Sequence, residues 1–470
     1  MPASIASCVF GLFIIWVFWK DARARKNVSV ALWIPLAWAC IIGSKPVSFW
    51  LDPNRYLGST EYLEDKLLDK GVFIVLFTSG LLILARRRLT SRIVIQSNRW
   101  LGVFFLYLAL SVLWSDEPFV SFKRWIKDFG NIIMVLVVLS EEDPQEGIRA
   151  FLAWCTYLLI PLTVLVVKYY PRVGTEYSRW TGEPVCVGIT TNKNSLGMTL
   201  FVCIVSLFWM LLDSREIAVR EKDRGAPFRY SLLIIMTVWL LVKARSATAV
   251  TCTLIGGCIL LGMRISAIRN KMRWLVFYAA GVVVLALVLQ ASGLWDVVVG
   301  AFAEAVGRDP SFHGRHAIWG AVLKEDINPI FGVGYYSFWS PERMERLSKG
   351  YFYLLNEAHN GFLETYLNSG LIGLCLLISM LVSALNRIKK EVLTGASYGG
   401  LRLSFLVAAV LYAVSEAIFN RLSLMWLVLL LVIMERPGRV KTEPDAGQDS
   451  ALGRRERALL DSTNEGSSLA

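Results

Sequence analysis

Charge is scarce in this chain: only 18% of its 470 residues are Asp, Glu, Lys or Arg, against 55% hydrophobic. A soluble domain carries roughly a quarter charged residues, so an ordinary soluble enzyme of this length is excluded. Histidine is scarcer still, with three in the whole sequence, and no HExxH pair is present. The eight cysteines are scattered, without a CxxC. A disulfide framework, a zinc site and a thiol nucleophile therefore lack support. No internal repeat of fixed period is seen, and no basic segment precedes the first apolar run as it would in a signal peptide.

What fills the sequence instead is apolar runs. Mean hydropathy is +0.51. Candidate spans fall at 4–19, 28–51, 71–85, 101–114, 129–139, 148–167, 196–212, 230–242, 249–263, 275–290, 369–386, 401–418 and 423–434. Runs of this kind read as transmembrane helices, so the expected fold is an all-α polytopic bundle of about 12–13 spans. Two pairs, 230–242 with 249–263 and 401–418 with 423–434, are separated so briefly that either could be a broken or re-entrant element.

Basic residues give the expected orientation. With Lys20, Arg23, Arg25 and Lys26 inside, the groups Arg86 to Arg88, Arg264 to Arg273 and Arg387 to Lys390 fall on the same side, as the positive-inside rule requires. The N-terminus is then outside, and 291–368 is a large external loop, periplasmic in a bacterium. The net charge of +12 is accounted for by topology and anionic lipid, so no nucleic-acid partner is expected. The chain divides into N-terminal spans 1–95, a membrane domain 96–435 and a disordered cytoplasmic tail 436–470, which is too polar to build a core.

Chemistry is expected in the external segments. In 115–128, Lys123, Arg124 and Lys127 sit at helical spacing, either on lipid headgroups or against a lipid-linked phosphate. In GITTNKNSLG, Lys193 lies between Asn192 and Asn194 at a helix start; the amides could cap that helix while Lys193 reaches headgroups, or the three could form an anion site. Lys243 and Arg245 occupy a tight connection between apolar runs, where a cation must snorkel or meet an anion. Snorkelling suits Lys243; the small residues after Arg245 would let a partner approach it.

The stretch Gly314 to Gly373 holds the richest pattern. A helix from Gly314 to Asp326 would place Arg315, Trp319 and Val322 on one face and stop before Asn328-Pro329. Gly332 and Gly334 permit a tight return. Arg315 suits either a structural ion pair or bidentate contact with a diphosphate. His313 and His316 lack carboxylates at ligand spacing, so no metal is expected. His359 opens an apolar helical face with Phe362, Leu363, Tyr366 and Leu367, and Asn356 would be its N-cap. At a helix N-terminus the imidazole would stay neutral and able to accept a proton.

The order TTNKNSLG, RSATA, GRHAIW with NPIFGVGYYSF, then AHNGFLETYLNSGLIG resembles the O-antigen ligase and polymerase superfamily, and within it the exopolysaccharide production proteins of the ExoQ type. The likeness covers about residues 95 to 435, including WSDEPFVSFKRW. It implies a GT-C-like, metal-independent glycosyltransferase without a cofactor, located in the bacterial inner membrane. Such proteins take a glycan from undecaprenyl diphosphate at the periplasmic face and pass it to another glycan or to lipid A core. Polysaccharide-export and chain-length proteins would be further partners. The family's arginine and histidine positions fall on Arg315 and His359, with Arg245 and Lys193 as further matching cations and Arg124 and Lys127 as candidate diphosphate contacts. Repeat-unit polymerisation is the favoured activity, with ligation to lipid A core the alternative. A transporter is the alternative of another class, disfavoured because nearly all charges sit at span ends; Lys45 and Glu416 are the exceptions.

Overall fold

The computed structural model describes residues 1–25, 28–52, 67–87, 96–177, 182–214, 223–274, 315–349 and 355–435. Eight of its helices are long and apolar enough to cross a membrane. These and three shorter apolar helices coincide with eleven of the thirteen expected spans, and a twelfth, 129–139, falls within the helix Pro118–Leu139; the run at 275–290 lies outside the described residues. The start of the large loop, His313 and the tail 436–470 lie outside them too.

The main helices before the large loop are, in chain order, α1 (Ala3–Ala24), α2 (Trp33–Ile42), α3 (Val47–Leu51), α4 (Leu67–Arg86), α5 (Arg99–Ser111), α6 (Pro118–Leu139), α7 (Pro144–Tyr169), α8 (Lys193–Leu212), α9 (Ala226–Ala244) and α10 (Ala247–Arg264). Of these, α3 is a five-residue turn that follows α2. Two short helices, α11 (Arg315–Val322) and α12 (Pro341–Ser348), belong to the loop. The bundle closes with α13 (Gly361–Leu393), α14 (Ser397–Ser415) and α15 (Leu424–Ile433). The sheet content among the described residues is one antiparallel pair, β1 (Thr175–Tyr177) with β2 (Pro184–Cys186).

Burial separates core from lipid-facing helices. The apolar windows of α7 and α8 are mostly buried, whereas those of α1 and α4 are 11% buried, as expected for helices against hydrocarbon. All ten residues of α15 are buried, among α6, α8 and α14. Ten residues reach only about 15 Å, half the hydrocarbon thickness. The segment Glu416 to Ser423 must therefore sink into the bundle to complete the crossing. Irregular backbone at that depth is tolerated only inside protein or along a cavity, and here it does both, since Glu416 to Phe419 are buried and Asn420 to Ser423 line a cavity. The broken element foreseen around 423 is this one.

The far ends of the helices carry ion pairs. Arg87 meets Glu141 at 2.5 Å, Arg149 meets Asp213 at 2.7 Å, and Arg402 meets Glu391 and Glu435 at 2.7 Å each. Asp213 is also paired with Arg264, and Arg25 with Glu146. The basic clusters of the sequence thus gather at one end of the bundle, opposite the end that holds the cavity.

Helix α13 breaks at Gly370 (φ 63, ψ −166). A break leaves amides and carbonyls without their i, i−4 partners, and the loop supplies replacements. Val333 N–H donates to Leu367 O at 3.2 Å and Gly334 N–H to Asn368 O at 2.9 Å; Leu371 N–H donates to Pro329 O at 2.9 Å. The approach needs glycine on both sides. A Cβ on Gly370 would lie 2.2 Å from Ile330 O and one on Gly332 would lie 2.5 Å from Asn368 C, while one on Gly334 would meet Ser115 Cα at 2.4 Å on the other side of the loop. Asn368 Oδ1 also accepts from Ser337 and Phe338 N–H.

Candidate functional site

Small secondary packing sets Arg315 and His359 facing one another. Ile318 and Val322 of α11 are buried with Val333, Phe338, Leu347, Leu355, Ala358 and Leu367 in a core separate from the bundle's own. Trp319, one turn beyond Arg315, donates its Nε1–H to Ala358 O at 2.8 Å, which ties α11 to the segment before α13. That segment ends on His359, held at φ 50 in the left-handed region, where a residue with a Cβ is uncommon and usually fixed by its surroundings. The N-cap of α13 is Asn360, whose Oδ1 accepts from Phe362 and Leu363 N–H at 3.0 Å each. The expected cap, Asn356, is exposed four residues earlier. His359 therefore precedes the helix instead of occupying its first turn.

Three carboxylates and two guanidinium groups surround it. His359 Nδ1 lies 2.9 Å from Glu357 and 3.4 Å from Glu416. Arg315 meets Glu416 at 2.8 Å, and Asn194 Nδ2 donates to the same carboxylate at 3.1 Å. Arg421 meets Glu357 at 2.7 Å and Glu364 at 3.5 Å. Glu364 also accepts from Trp339 Nε1 at 3.0 Å and from Ala358 N–H at 2.6 Å. Burial works against a charged imidazole, but the Glu357 and Glu416 carboxylates outweigh it and push the His359 pKa up to about 10. These carboxylates favour the imidazolium over the neutral base expected from a helix N-terminus. Burial likewise opposes the Glu357 carboxylate, yet Arg421 and His359 hold its pKa down at about 2.

A cavity of about 390 Å³ opens beside this cluster. Glu357, Glu416 and Arg421 line it from one side, and Arg124 and Lys127 of α6 from the other. Arg124 donates to Tyr336 O at 2.8 Å and lies 4.8 Å from the centre of that ring. Both cations stand in the first turns of a single continuous helix that begins at Pro118, where the sequence suggested a surface segment followed by a span. Lys193 is exposed at the first position of α8, capped by Asn192, whose Oδ1 accepts from Ser195 N–H at 2.9 Å. Asn192 and Asn194 line the cavity; Lys193 does not. Arg245 is farther out: its side chain is 86% exposed, with Glu183 4.0 Å away, on the left-handed residue that joins α9 to α10. Of the five cations and one histidine assigned to the site in sequence, Arg315 and His359 share Glu416 as a partner, Arg124 and Lys127 share the cavity, and Lys193 and Arg245 stand apart.

Glu357, Glu416, Asn420 and Arg421 complete the site. In sequence Glu416 stood out only as one of two exceptions to the placing of charges at span ends. A signal was available: EAIFNRLS is a polar interruption between two apolar runs too short to need one. The Glu357, His359 and Glu416 ligand atoms lie within 4.8 Å of one another, a spacing a metal ion could use. Arg315 and Arg421 already neutralise those carboxylates, so the donor set fits an ion-pair network better than a cation site.

The cavity at one end of the helical membrane bundle thus sets Arg124, Lys127 and Arg421 beside Asp69, Asp128, Glu357 and Glu416. Residues 230–378 match the family model described as O-antigen ligase. That stretch contains Arg245, Arg315 and His359, and excludes Arg124, Lys127, Lys193, Glu416 and Arg421. More particularly, the chain is 29% identical over 300 residues to the exopolysaccharide production protein ExoQ of Rhizobium meliloti (strain 1021), covering 61% of this chain and 64% of that protein. The chain thus spans just under two thirds of the curated relative's length. Both matches agree with the resemblance carried by the sequence motifs.

Proposed function

We propose that this protein is an inner-membrane glycosyltransferase that takes a glycan from undecaprenyl diphosphate at the periplasmic face and adds it to another lipid-linked glycan, extending an exopolysaccharide. The observation that carries this reading is the placing of Arg124, Lys127 and Arg421 on one cavity, with Arg315 and His359 joined to its wall through Glu416. Fixed cations in a partly dry site stabilise the negative charge that grows on a departing diphosphate more than they stabilise the intact donor. Arg315 and His359 would bear on the leaving group, and Arg124 and Lys127 on the diphosphate as it enters. Lys193 and Arg245, both exposed, would attract the anionic donor from outside the cavity. The similarity to an exopolysaccharide production protein favours polymerisation. The O-antigen ligase description of the matched family keeps transfer to lipid A core as the second reading.

Deleting the gene and sizing the secreted polysaccharide and the lipopolysaccharide from one culture tests both. Loss of long secreted polymer with normal lipopolysaccharide supports polymerisation. Lipopolysaccharide reduced to its lipid A core, with full-length glycan still on the carrier, supports ligation. No change in either rejects glycan transfer.

A further inference from the structure

The place for an anion in this site is already taken. Arg315 from α11, His359 from the segment before α13 and Asn194 from α8 converge on the Glu416 carboxylate at 2.8, 3.4 and 3.1 Å. Glu416 is only 4% exposed. A buried carboxylate is tolerated when donors of this kind surround it. Diphosphate oxygens ask for the same donors, and a guanidinium serves them in the same forked geometry. If Arg315 and His359 hold the leaving group, as the transfer reading above requires, they must release Glu416.

Transfer also needs a proton acceptor. His359 is poorly suited, because its Nδ1 is committed to two carboxylates and the ring already carries its proton. Glu357 shares His359 with Glu416 but also has Arg421 at 2.7 Å, which the donor does not take. Glu364 keeps Arg421, Trp339 and the Ala358 amide. Among the described carboxylates of the cluster, Glu416 is the one that would lose both its Arg315 and His359 partners to the donor, and it stands on the cavity wall. Asn420, four residues on, lines the same cavity, and its buried Oδ1 has no partner among the described residues, as suits an acceptor sugar hydroxyl.

We propose that Glu416 occupies the diphosphate's place in the resting protein and, once the donor displaces it, acts as the catalytic base that receives the proton of the acceptor hydroxyl. The acceptor oxygen bonds to the anomeric carbon as the bond from that carbon to the diphosphate oxygen breaks. The electron pair leaves with the diphosphate, between Arg315 and His359. The hydroxyl proton passes to Glu416, which returns it to water after the products depart.

The test uses the full chain in lipid nanodiscs, as wild type, Glu416→Gln and Glu416→Ala. Undecaprenyl diphosphate is the binding probe, and lipid-linked glycan extracted from a host lacking this gene is the transfer substrate. Glu416→Gln should bind undecaprenyl diphosphate at least as tightly as wild type, because the competing charge is gone, while its transfer falls at least about 100-fold. Added formate should restore part of the transfer in Glu416→Ala. Transfer by Glu416→Gln within about tenfold of wild type would overturn the assignment, as would parallel loss of binding and transfer, or failure of formate to help. An inactive wild type would instead reject the transfer reading, and this inference with it.

Discussion

Replacing Arg421 by methionine would leave two buried carboxylates short of a cation. The guanidinium lies 2.7 Å from Glu357 and 3.5 Å from Glu364. Breaking a buried pair from one side costs about 3–5 kcal/mol, because the remaining charge stays buried. Both carboxylates retain other partners, His359 for Glu357 and the Trp339 and Ala358 donors for Glu364, so the lower end applies. Linkage gives a similar figure. The Glu357 pKa falls from 4.5 to about 2 on folding, and each unit is worth about 1.4 kcal/mol, for roughly 3 kcal/mol shared between Arg421 and His359. A depressed carboxylate pKa contributes stability above pH 4.5 and loses it as pH falls towards 2. Unfolding free energies measured in mixed micelles for wild type, Arg421→Met, Glu357→Gln and the double variant would show the effect. We expect Arg421→Met to lose about 3 kcal/mol, to lose less than wild type on acidification below pH 4.5, and to be partly rescued in the double variant. A loss under about 0.5 kcal/mol, or a double variant whose loss equals the sum of the two singles, would refute the reasoning.

Arg315→Ala and His359→Ala should each abolish glycan transfer while membrane insertion is retained, read from product on carrier lipid and from membrane fractionation; wild-type product from either would remove that residue from the site. Because the His359 pKa is raised to about 10, its charge persists through neutrality, and its stabilising contribution, complete below pH 6.5, is lost as pH rises through 10. A rate profile should therefore show no His359-dependent step near pH 6.5, and such a step would restore a neutral working imidazole. Gly334→Ala should undo the docking of the loop, because its Cβ would meet Ser115 Cα at 2.4 Å and its φ is 97; intact folding with native protease resistance would contradict this. Arg245→Ala should change stability by less than about 0.5 kcal/mol, given its 86% exposure, in the same micelle measurement.

Hydropathy made the helices legible, since a span must satisfy its backbone internally and be apolar over a fixed length. Arg315 and His359 were legible because each sits in a motif with local spacing. Their partner Glu416 was not, being 101 residues from Arg315 and 57 from His359 in sequence. No local pattern announces a contact made by helices returning to one end of a bundle. The protonation of His359 was hidden for the same reason: a helix N-terminus argues for a neutral ring, but Glu357 and Glu416 decide the matter, and the second arrives from another span. The polar octet around Asn420 was visible, yet its depth became clear only from the ten-residue length of α15.

The hydrogen-bonded strip where residues 329–334 lie along the break at Gly370 ties the described part of the loop to the bundle as one frame. The residues proposed to act in transfer hang from that frame, because Arg315, His359 and Glu416 are positioned by α11, the segment before α13 and the end of α14. Between the strip and His359 runs a segment, 335 to 358, that includes α12 and is anchored at both ends. Phe338, Leu347 and Leu355 of that segment pack with Ile318 and Val322 of α11, so a change in its length or packing would be felt at Arg315 as well as at Glu357.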